Sequence, residues 1–120
     1  MALQGYPARV HTGGVKILAG TITLGASSIS STDLVTSGVA SSVVRNSAGD
    51  YTITLADPVG AFVGFNIEVL AASAADLQPQ LTALSTSNKT VQFRVLTGAT
   101  PTDGASGVVI YVVIMVKEMA

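Results

Sequence analysis

Hydrophobic and polar positions alternate with a period of two through much of this chain, and that rhythm predicts strands. Tyr51, Ile53 and Leu55 alternate with Thr52 and Thr54, as in a strand with one wet face. The preceding run VASSVVRN (39–46) is its hairpin partner, and SAGD (47–50) supplies a turn whose Gly suits a residue at positive φ. Asp57-Pro58 closes the strand. In FVGFNIEVLA (62–71), Phe65, Ile67 and Val69 alternate with Asn66 and Glu68. QLTALS (80–85) and KTVQFRVL (89–96) form a second hairpin around TSN, with Val91, Phe93 and Val95 inward and Gln92 and Arg94 outward. In VKILAGTITL (15–24), Val15 and Ile17 share one parity while Ile22 and Leu24 share the other. A bulge or bend at Ala19-Gly20 is the expected means of bringing them to one buried face.

The connections are polar. GASSISSTD (25–33) reads as a loop suited to carry the chain between sheets. SAADLQP (73–79) reads as a single helical turn, capped by Ser73 and stopped by Pro79. GATPTDGASG (98–107) is a long loop with no apolar anchor. Residues 1–14, broken by Gly5, Pro7, Gly13 and Gly14, read as an extended N-terminal arm, and residues 15–120 as one domain. Six or seven short strands with almost no helix predict an all-β fold, an antiparallel β-sandwich or small barrel of jelly-roll or Ig-like type.

One run breaks the rhythm. VVIYVVIMV (108–116) is nine apolar residues long. Val108, Ile110, Val112, Ile114 and Val116 take one face of this strand; Val109, Tyr111, Val113 and Met115 take the other. Both faces call for cover, yet a sandwich covers only one face of each sheet with its own core. The chain has almost no helix to lay outside, and few apolar residues in the arm. A neighbouring subunit is the remaining cover, so Val109, Tyr111, Val113 and Met115 are the candidate subunit-interface residues of a homo-oligomer.

Composition sharpens this picture. The chain has 120 residues, of which 48% are hydrophobic and 11% charged, against about 25% charged in an average protein. Thirteen Thr and twelve Ser take the place of charge on the surface. A net charge of −1, with Lys16, Arg45, Lys89 and Arg94 scattered, argues against nucleic acid, which is held by clustered Lys and Arg. Without cysteine, disulfides and thiolate metal sites are impossible and the fold must hold by packing. MALQGYPARV lacks the basic and apolar regions of a signal peptide, and no segment approaches the ~20 apolar residues of a membrane-spanning helix. Assembly in a cytoplasm, with no membrane partner, is expected.

Candidate chemistry is thin. His11 is the only histidine and sits in the arm, where a catalytic triad would lack rigid support. GGVK (13–16) does not complete a phosphate loop. Asp33, Asp50, Asp57, Asp76 and Asp103 each stand alone near turns, where Asp bonds the backbone, and no calcium-loop run exists. Asn88-Lys89-Thr90 reads as a turn. We expect no enzyme, no cofactor and no metal.

From Val43 to Phe62, VVRNSAGDYTITLADPVGAF resembles a loose family of small tailed-phage virion proteins. The shared features are a valine-rich strand ending in a basic residue, a Gly turn, and Y-T-[IV]-T-L. The likeness continues through NKTVQFRVLTGATPTD and the apolar strand, covering residues 39–118; residues 1–38 match no family. The resemblance implies a head-decoration or cement protein, a β-fold subunit on the outer capsid, often trimeric, with the major capsid protein as partner and the virion as its location. Tyr6, Arg9 and His11 of the arm are then the candidate capsid-docking residues. The other expectation is a receptor- or glycan-binding module of a phage tail or fibre, although the loops offer mainly small hydroxyl residues and few aromatic ones.

Overall fold

The computed structural model describes residues 14–71 and 76–118. Tyr6, Arg9 and His11, with the rest of the arm up to residue 13, lie outside the described residues, as does Ser73 of the expected helical turn. The described elements are β1 (Val15–Gly25), β2 (Ser28–Thr32), α1 (Asp33–Thr36), β3 (Ala40–Ser47), β4 (Asp50–Leu55), β5 (Val59–Leu70), β6 (Gln78–Ser85), β7 (Thr90–Thr97), β8 (Thr100–Pro101) and β9 (Val109–Glu118). They build two antiparallel sheets, β2-β1-β9-β5 and β3-β4-β7-β6, with β8 added to β7. The sheets pack face to face as a β-sandwich.

The core lies between them. One sheet contributes Ile22, Leu24, Ile67, Ile110, Val112 and Ile114, and the other Tyr51, Ile53, Leu55, Val91, Phe93 and Val95, all buried. These are the inward positions of the period-two pattern in β4, β7 and β9. The Tyr51 and Phe93 rings stack with centroids 5.4 Å apart at 28°, a favourable arrangement worth about 0.5–1.5 kcal/mol beyond area burial.

Turn chemistry fixes the hairpin registers. Ala48 and Gly49 connect β3 to β4, and Gly49 has φ +68°, as the SAGD turn predicts. A Cβ on Gly49 would also lie 2.5 Å from the Thr102 nitrogen, so glycine is required there twice over.

Elsewhere the structure corrects the sequence reading. No bulge occurs at Ala19-Gly20: the β1–β9 register runs unbroken from Val15↔Lys117 to Thr23↔Val109. Ile17 therefore stays outside, 64% exposed. Gly20 instead makes room for α1, since a Cβ there would lie 2.6 Å from both Asp33 Oδ1 and Leu34 Cδ2. Residues 28–32 are a strand and not a loop, pairing with Ile22–Gly25. The move between sheets falls to α1, where the Thr32 hydroxyl accepts from the Leu34 N–H at 3.2 Å and Leu34 is buried. Pro79 stops no helix; it lies in edge strand β6, where a missing N–H is tolerated. The strand over 62–71 begins earlier, at Val59, and a register shift between Phe62 and Gly64 lets Phe62 pack against the core as well.

Candidate functional site: an uncovered sheet face

The outer face of the β2-β1-β9-β5 sheet follows from its registers. Reading across β1, β9 and β5, the rows are Val15-Lys117-Ala61, Ile17-Met115-Gly64, Ala19-Val113-Asn66, Thr21-Tyr111-Glu68 and Thr23-Val109-Leu70. Val109, Tyr111, Val113 and Met115 thus run down the middle of one surface, as the two-faced strand requires. Tyr111 is 45% and Met115 36% exposed. Ile17 and Leu70 extend the apolar surface onto the flanking strands, both more than half exposed. Lys117 and Glu68 are the charges in these five rows.

The surface is smooth for a local reason. Gly64 lies opposite Met115, and a Cβ on it would run into Met115 Cε; the glycine leaves the space in which the thioether lies flat. Burying a side chain of this size from full exposure contributes ~1.5–3 kcal/mol, and the half-exposed Tyr111 and Met115 still have about half of that to gain. The surface is a contiguous run of exposed apolar side chains on one sheet face.

Ile17 and Leu70 were missed as members of this face. Leu70 carries a signal, an apolar residue at the wet parity of Asn66 and Glu68. Ile17 had been turned inward by the expected bulge.

Two polar clusters close opposite ends of the core. Arg45 stands opposite Tyr51, on the inner face, where a guanidinium needs a partner. Asp103 supplies it: Arg45 donates to its carboxylate from Nε at 3.1 Å and from NH2 at 2.7 Å. The Gly49 N–H and the Tyr51 hydroxyl also donate to Asp103 Oδ1, at 2.9 Å and 3.2 Å. The expected unanchored loop 98–107 is thereby clasped to the β3–β4 turn by a polar anchor, and Asp103 does not stand alone. Chiefly the Arg45 hydrogen bonds, with those from Gly49 and Tyr51, hold the Asp103 carboxyl below its ordinary range. Burial, first, and the Asp103 charge push the Tyr51 phenol up. At the other end Lys16 lies 3.6 Å from Asp57 and 3.5 Å from Glu118, both exposed pairs of small energetic weight.

The Asp103 clasp predicts a pH dependence. A depressed folded-state pKa means that the clasp's stabilisation is complete above the unfolded value of ~3.9 and is lost as pH falls through the folded value. Asp103→Asn should therefore melt several degrees below wild type at pH 7, with the gap narrowing below about pH 4. A gap independent of pH, by calorimetry between pH 2.5 and 7, would contradict this account.

Among the described residues, no group of three or more His, Asp or Glu side chains is placed to hold a metal ion, and no helix is long and apolar enough to cross a membrane. No protein-family model, curated protein or solved structure matches the chain.

Proposed function

We propose that this chain is a non-enzymatic structural subunit of a phage virion, a decoration or cement protein that self-associates, with a trimer favoured, and stabilises the capsid from outside. The observation that carries the reading is the outer sheet face, where Tyr111, Met115, Ile17 and Leu70 stay exposed side by side although the inward positions of the same strands are packed into a core. The likeness of residues 39–118 to small virion proteins supports the same reading. The action is physical: copies bury this face against one another, and the assembled unit binds the expanded shell but not its precursor. Binding one state alone stabilises that state by linkage, and several docking points on one unit multiply the affinity.

The test is the mass of the purified protein at micromolar concentration, followed by co-sedimentation with expanded and precursor shells. A multiple of the 12.1 kDa chain and preferential pelleting with expanded shells are expected. A monomer would remove the physical basis of the reading. Deleting residues 1–13, which include Tyr6, Arg9 and His11, should leave the fold intact and weaken pelleting. Undiminished pelleting would take the arm out of the mechanism.

A further inference from the structure

The exposed apolar surface of this protein turns a corner, and the turn bears on how copies meet. One facet is the outer face just described. The second is the flank where edge strands β5 and β6 run side by side. There Leu81 and Leu84 stand opposite the buried Phe93 and Val91, on the inward side of their strand, yet they are 38% and 44% exposed. Phe62, Val63, Gly64 and Phe65 of β5 complete, with these two leucines, a hollow of about 230 Å³. The opposite flank differs, because α1 inserts the buried Leu34 there. The facets join at Gly64, which lines the hollow and carries the Met115 methyl.

Size and shape decide between arrangements. With strands about 4.8 Å apart and same-face residues about 6.7 Å apart, five rows across three strands cover about 480 Å². A stable interface buries about 800 Å² per partner, so the flat facet pressed against its own copy falls well short. Two copies of one convex corner related by a two-fold axis bury one facet each and leave the other in water. Burying both facets requires two neighbours per subunit, one on each facet. The facets are also unlike: one is a flat sheet face on which the Tyr111 ring is exposed, the other hollow. A dry apolar cavity of about 150 Å³ accepts a benzene ring, so the larger flank hollow can receive the Tyr111 ring.

We propose that the outer face of one copy seats against the β5–β6 flank of the next, a head-to-tail contact that repeats around an axis and closes into a ring. This inference rests on the self-association proposed above and specifies its geometry. Tyr111 enters the hollow between Leu81, Leu84 and Phe62 of its neighbour, and every subunit gives one face and one flank.

The test uses two full-length variants, Tyr111→Asp, which spoils the face, and Leu84→Asp, which spoils the flank. Each position is nearly half exposed within the chain, so both variants should fold, as circular dichroism and melting will check. Each alone should be a monomer by native mass spectrometry. Mixed in equal amounts they should form a species of two chains and none larger, because the intact flank of one accepts the intact face of the other. If Leu84→Asp keeps the wild-type mass, or the folded variants stay monomeric when mixed, the head-to-tail contact is wrong. A monomeric wild type overturns the self-association itself, a different result from either. Should Leu84→Asp fail to fold, the absence of cysteine permits a second measurement with Tyr111→Cys and Leu84→Cys. Exchanged together, they should cross-link 111 to 84. Cross-linking of Tyr111→Cys with itself would overturn the ring.

Discussion

Val113→Asp should turn the assembled protein into a monomer. Val113 occupies the middle row of the outer face, between Ala19 and Asn66, so a carboxylate there lands at the centre of the proposed contact with no cation in its row. Leaving such a group buried and unpaired costs at least about 3 kcal/mol, and each 1.4 kcal/mol is a tenfold loss of affinity. A dissociation constant raised about a hundredfold or more is the expected result, read by light scattering across a dilution series. The lone chain should keep its fold, because within one subunit the side chain points away from the core. Val113→Ile, which retains the apolar character, should preserve the mass. Wild-type mass in the Asp variant would mean that the outer face is covered by something other than a neighbouring copy.

Phe93→Ala should have the largest effect on the fold itself. Phe93 is fully buried and stacks on Tyr51, whose hydroxyl donates to Asp103. Truncation removes the ring's transfer energy and leaves a cavity, about 3–5 kcal/mol together, out of a total of about 5–15 kcal/mol for a domain. The midpoint of urea unfolding should fall accordingly, measured at one fixed protein concentration because the proposed association would add to apparent stability. Leu84→Ala, at a half-exposed flank position, should change the same midpoint far less in the monomer. Equal shifts in the two variants would contradict the division between core and flank.

The parts of the fold that were legible in the sequence are those governed by local physics. Alternation in 51–55 and 91–95 selects the inward residues because strand side chains alternate by geometry, whatever their partners. The SAGD turn announces itself through Gly49, which alone meets the backbone demand there. The two-faced composition of 108–116 gave the candidate interface residues directly, and all four lie together on the outer face. What was not legible depends on approach in space. Gly20 looked like a bulge, but its missing side chain serves a helix that arrives a dozen residues later, at Asp33 and Leu34. The Arg45–Asp103 pair spans 58 residues, and no spacing rule links them. The flank hollow required knowing that β5 and β6 are both edge strands, which follows from strand order and not from any strand's own pattern.

Strand order has one more consequence, in the time dimension. β9 sits between β1 and β5, which do not pair with each other, yet it follows both in the chain. Its sheet has no middle until this strand arrives, and both ladders that hold it close over long loops, which makes such folding slow. Translation proceeds from the N-terminus, so the most apolar strand emerges last of the nine, when the two edges that bind it already exist. A segment with the composition of an amyloid former is thereby exposed for the shortest part of synthesis. Moving it earlier by circular permutation would lengthen that exposure while leaving every contact of the finished sandwich in place.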